Sequence, residues 1–129
     1  MTPWDSARRL FEKADQDRKI FHAIKHIPDI EDESICFHAQ QAVEKCLKAV
    51  LMEKGVSFRR THDLDELVDL IIDAGITFPF DPNQFSLLNP FAVQWRYEDL
   101  DIGGLDLVEA EHMMEKAYFW VKGVLDLEV

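Results

Sequence analysis

Five side chains of this 129-residue chain are the candidates to hold a phosphate: Lys45, Lys48, His62, Arg96 and Tyr97. The two lysines and Arg96 supply fixed positive charge. A guanidinium can grip a phosphate with two parallel hydrogen bonds or stack on a base. His62 stands just before Asp63, at the expected start of a helix, where free backbone N–H groups and the helix dipole favour an anion. Arg59 and Arg60 are close by. Against this, Asp63 as a capping residue brings its own negative charge to the same N–H groups, so its expected role is structural. Phe37, Gln41 and Met52 fall on one helical face with Lys45 and Lys48. Such a mixture suits a dimer or partner surface, or the floor of a polar groove, better than plain solvation. Asp17 sits in an apolar stripe, and a buried carboxylate is costly unless paired. It is expected to be structural as well, with Arg96 as a candidate partner; Arg96 is equally suited to a phosphate.

Other chemistries find little support. His22 and His26 have the i, i+4 spacing of half a zinc site, but the glutamate of the metalloprotease motif and a third ligand are missing. They are expected on a solvated face, and no metal is expected. Cys36 and Cys46 lie on one predicted helix, about 15 Å apart, too far to bridge. They read as small buried apolar residues of a reducing compartment. No Ser or Thr occupies a nucleophile turn, and Gly103-Gly104 is not a phosphate-binding loop, so no cofactor is expected.

The net charge is -11, which sets nucleic acid and anionic membrane against most of the surface. The charge is uneven. Residues 1–35 carry net -2, residues 36–62 carry +3, and residues 63–129 carry -12. Only the middle segment offers an anion a welcome. The phosphate reading therefore requires its cations to meet in one cleft, without internal acids to neutralise them.

Helical periodicity supplies the frame. The spacing predicts helices over residues 4–27 (stripe Leu10, Ala14, Asp17, Phe21, Ile24) and 33–54, stopped by Gly55. A third starts at Asp63, with Glu66 at capping-box spacing, and ends at Gly75. A shorter one covers 84–96, interrupted near Pro90, and a last one runs from about 105 to 127. There is no period-2 segment. The expected fold is a single all-α domain over residues 1–129, an antiparallel up-and-down bundle of four to five helices. No run approaches the roughly 18 apolar residues of a membrane span. The first residues lack the apolar stretch of a signal peptide, and a cytoplasmic location is expected.

The segment FHAQQAVEKCLKAVL at 37–51, then Gly55, THDLDEL at 61–67, and WRYEDLD at 95–101 before a long final helix resemble the HEPN domain family. The resemblance implies a helical bundle that usually forms a homodimer. It also implies pairing with a minimal nucleotidyltransferase in two-component, toxin–antitoxin-like modules. Catalytic members of that family are metal-independent ribonucleases that carry an Arg, four to six residues, then a His. Counted from Arg96, that His would fall at 101–103, where Asp101, Ile102 and Gly103 stand. Cleaving RNA at a ribose hydroxyl needs a proton acceptor near neutrality, which Arg cannot be. The expected function is a non-catalytic subunit binding a nucleotide, RNA or the partner enzyme, with Tyr97 a candidate for nucleotide attachment. Two alternatives stand beside it. One is a divergent ribonuclease toxin using Arg96 with His62 or His112; the other is a purely structural module dimerising through its second helix.

Overall fold

The computed structural model describes residues 1–92 and 106–127. It contains α1 (Pro3–Ile24), α2 (Asp32–Glu53), α3 (Leu64–Asp73), a 3-10 helix (Gln84–Phe91) and α4 (Leu107–Val124), and no strand among the described residues. Arg96, Tyr97 and Trp95 lie outside the described residues. The all-helical up-and-down bundle expected from periodicity is the fold observed.

The helix ends are set by local chemistry. Thr2 and Asp5 form a reciprocal box at the start of α1: the Asp5 N–H donates to Thr2 Oγ1 (3.1 Å) and the Thr2 N–H to the Asp5 carboxylate (3.0 Å). Gly55 (φ +72°) and Gly75 (φ +79°) take the left-handed conformation that closes α2 and α3. There the N–H groups of Val56 and Ile76 donate back to Leu51 and Ile71 carbonyls. Asp106 caps α4 through the Glu109 N–H (2.8 Å). Over its described part the helix expected at 84–96 is instead a short 3-10 helix, and residues 93–96 lie outside the described residues. Pro90 has no N–H with which to continue an α-helical ladder.

α2 is the central element. It packs against α1, α3, the 3-10 helix and α4, and most extensively against α1. No residue from Ser34 to Glu53 is exposed. Ile35, Cys36, Ala39, Val43, Cys46, Leu47 and Val50 carry its core faces. Both cysteines are free and buried, and burial pushes the Cys36 thiol up to about 12.

The α1 stripe is rotated from the expected one. Ala7, Phe11, Ala14, Asp17 and Phe21 are buried, while Leu10 and Ile24 are only half-buried. α1 must face α4 as well as α2, and Phe11 stacks on Tyr118 of α4 with ring centroids 4.9 Å apart. The histidine expectation changes for the same reason. His22 is half-buried and shares Glu115 of α4 with Arg18 (Nε–Oε2 2.7 Å), and Lys25 meets Glu111 (2.8 Å); only His26 is exposed. Residues 18 to 25 of α1 thus meet residues 115 to 111 of α4 in reverse order, which fixes the two helices as antiparallel.

Candidate functional site

The outward stripe of α2 is where the sequence placed its candidates. Phe37, Gln41, Lys45, Lys48 and Met52 do share it, and all are half-buried. A polar group stands on each flank of this stripe, and each is organised by one buried carboxylate.

On the α1 side that carboxylate is Asp17, 8% exposed. His38 Nδ1 approaches its Oδ1 at 3.0 Å, and the Lys45 ammonium donates to Oδ2. Burial by itself would raise the Asp17 carboxyl. The hydrogen bonds and charges of His38 and Lys45 outweigh it and hold the group below its ordinary value. The partners of Asp17 are thus Lys45 and His38. The helix that carries them lies directly against α1, so both reach the acid from positions about two turns apart on α2. The expected partner, Arg96, lies outside the described residues.

On the α3 side the carboxylate is Glu44, 4% exposed. Its Oε1 receives Gln40 Nε2 (3.1 Å) and faces His62 Nδ1 (2.8 Å); its Oε2 receives Lys48 Nζ (3.0 Å). Gln40 also donates to the His62 carbonyl (3.2 Å), and its own Oε1 accepts from Gln41 (2.7 Å). A buried polar network of this kind is stabilising only when its members are satisfied, and these are.

Among the described residues, the strip expected to be cationic is thus charge-balanced. Lys45 meets Asp17, and both Lys48 and His62 meet Glu44. With neutral imidazoles, two ammonium groups and two carboxylates cancel. The corner at the start of α3 is also filled. Asp63 caps the helix by accepting from the Asp65 N–H (3.0 Å), and Asn89 Oδ1 takes the Leu64 N–H (2.9 Å). Asn89 Nδ2 returns to Asp63 at 3.2 Å. The capping role of Asp63 holds, whereas Glu66 does not close a box with it. Glu66 is held instead by the Arg59 fork at 2.7–3.1 Å, which also removes Arg59 from the candidate anion corner.

Sequence reasoning missed Gln40 and Glu44 as the hub of the α3-side group and His38 as a partner of Asp17. The available signal was a polar pair at i, i+4 inside an apolar helix, with Lys48 four residues further on. It also missed Arg9 and Lys13. These two exposed cations flank a cavity of about 180 Å³ lined by Met1, Ser6, Leu10 and Met52, at the far end of the same face. Among the described residues, neither is in an ion pair.

No group of three or more metal-ligating side chains occurs among the described residues, and none of their helices is long and apolar enough to cross a membrane. A family model for the HEPN domain matches residues 7–127. Neither a curated protein nor a solved structure matches the chain.

Proposed function

The chain belongs to the HEPN domain family, and from that premise we propose that it is a non-catalytic, dimerising subunit of a two-component system. Its partner is a minimal nucleotidyltransferase, a pairing common in the family. The outward stripe of α2 is the proposed protein-docking face. The observation that carries this reading is the balance of charge there. A molecule of net charge -11 repels its own copy and any acidic partner over most of its surface. On the α2 stripe Asp17 and Glu44 cancel Lys45 and Lys48, so two copies meet without excess charge. Phe37 and Met52 provide apolar contact near its ends, and Gln41 lies between them with its amide already bonded to Gln40. Much of the desolvation and ordering of these side chains is done before a partner arrives, which favours docking.

The same balance argues against Lys45, Lys48 and His62 as a bare phosphate cradle, since an incoming phosphate would compete with carboxylates already in place. Calorimetric titration of the full chain with ATP and with a short single-stranded RNA tests this. No saturable heat is expected. Saturable binding that disappears in Lys45→Ala or Lys48→Ala would restore the phosphate reading. Arg96 and Tyr97 would then be the next residues to vary.

A divergent ribonuclease is the second reading, and one feature favours it. His62 has a side chain 65% exposed and an Nδ1 oriented by buried Glu44. A carboxylate that fixes the Nδ1–H tautomer leaves Nε2 available as a base. Cleavage of labelled RNA by the wild-type chain, lost in both Arg96→Ala and His62→Gln, would establish it. No cleavage is expected, because the His at the family's spacing is missing.

A further inference from the structure

We propose that the notch between the N-terminal half of α1 and the end of α2 is a docking site for an acidic peptide segment. Such a segment would carry one large aliphatic side chain flanked by carboxylates. The site uses Arg9, Lys13, Leu10 and Met52, none of which the reading above invokes except Met52 at the edge of the stripe. It does not depend on self-association through α2.

The argument starts from an unusual allocation of charge. Acidic groups outnumber basic ones 25 to 14 in this chain, and on α1 and α2 nearby acids are plentiful. Arg18, Lys19, Lys25, Lys45, Lys48 and Lys54 all find one. Among the described residues, Arg9 and Lys13 meet none. They stand at i, i+4 on one exposed face of α1, an arrangement in which like charges oppose the helix. An anion seated between them would remove that opposition. Arg8, the adjacent cation, is turned away over the Trp4 ring, 5.5 Å from its centroid.

The cavity between the two cations selects the kind of anion. Its lining includes Leu10 and Met52, both half-buried, and Met1 at its mouth. Methionines adapt their shape to an incoming apolar group. At about 180 Å³ it is smaller than the roughly 300–1,000 Å³ of a small-molecule pocket, and it has room for about one aliphatic side chain. A nucleic acid strand fits poorly. It gains affinity by neutralising many phosphates, and here two cations without an acidic partner among the described residues stand on a strongly negative molecule. A peptide needs only one or two carboxylates, with Arg9 able to grip one bidentately.

The test is a fluorescence-anisotropy titration of the full chain with a labelled peptide Glu-Glu-Leu-Glu-Glu. Companion titrations use the peptide with Gly in place of Leu and a labelled five-nucleotide single-stranded DNA. The same titrations are run on Arg9→Ala/Lys13→Ala and on Phe37→Glu. Phe37 lies 15 residues from Met52 along α2, about 22 Å away, so Phe37→Glu probes the dimer reading alone. The Leu peptide is expected to bind Phe37→Glu at least as tightly as the wild type, because the notch and the α2 docking face share Met52. Its affinity should fall at least fivefold in the double variant, at least threefold with the Gly peptide, and further as salt is raised. Equal affinity for wild type and double variant, or no binding of the Leu peptide to either, overturns the proposal. So does tighter binding of the DNA than of the Leu peptide.

Discussion

The lysines of α2 and the cations in the first half of α1 line one face of the molecule, yet they are committed in opposite ways. Lys45 and Lys48 reach carboxylates that are themselves more than nine-tenths buried, and they are 25% and 15% exposed. Arg9 and Lys13 are exposed and meet no acid among the described residues. The residue types are similar, so the difference lies in what stands beside each. Lys45 reaches Asp17 across the α1–α2 contact, and Lys48 reaches Glu44 one turn back on its own helix. Beside Arg9 and Lys13 stand Ser6 and Leu10 of α1 and Met52 of α2. A positively charged residue therefore says little about anion binding until the acids across from it are known. On this molecule Lys45 and Lys48, which look like a site in the sequence, are paired to buried acids, whereas Arg9 and Lys13, which look like ordinary surface, meet no acid among the described residues.

Substitutions sharpen this contrast. Glu44→Gln should have the largest effect, lowering stability by about 3 kcal/mol in urea denaturation. It leaves Lys48 half-buried without its counter-charge and disrupts the Gln40 and His62 bonds. A loss of under about 0.5 kcal/mol, the range of an ordinary surface change, would break the comparison by showing that the Glu44 group is not structural.

Asp17→Asn comes next, with an expected loss of about 2 kcal/mol at neutral pH. It has a pH signature. The Asp17 carboxyl is held below its ordinary value of 3.8 in the folded chain. Its contribution is therefore complete above about pH 4–5 and is lost as pH falls through the lowered folded value. The stability gap between wild type and Asp17→Asn should be constant from pH 7 to pH 5 and should narrow progressively below pH 4. A gap that stays constant to pH 2.5 would contradict the ion-paired state of Asp17.

Lys45→Met should cost less, about 1 kcal/mol, because His38 remains on Asp17 and the methylene stem is preserved. Arg9→Ala and Lys13→Ala should change stability least, within about 0.5 kcal/mol, and in the stabilising direction once a like-charge i, i+4 pair is relieved. A destabilisation above 1 kcal/mol for either would mean that these cations are engaged in the fold after all.

Much of the frame was legible in the sequence. The 3.6-residue rhythm of 33–54, the stops at Gly55 and Gly75 and the cap at Asp63 are local signals, and each is found in place. That Asp17 would be paired could be recognised because an acid in an apolar stripe needs a partner. Which partner it takes was not legible, since the choice among Arg96, Lys45 and His38 depends on how α1 crosses α2. The 3-10 helix was half legible: Pro90 announced an interruption, while Asn89, whose side chain completes the start of α3, gave no local sign of that duty. Charge averaged along the chain also misled. The net -2 of residues 1–35 conceals Arg9 and Lys13, because helices sort neighbouring residues onto different faces.

Sedimentation equilibrium of the wild-type chain beside Phe37→Glu and Met52→Glu addresses the α2 docking face most directly, with circular dichroism confirming that each variant is folded. The wild type should show twice the 15.0 kDa chain mass, and folded Phe37→Glu and Met52→Glu should each show a single chain. A wild type that stays at one chain mass up to its solubility limit would contradict the account, as would a dimer that neither glutamate weakens.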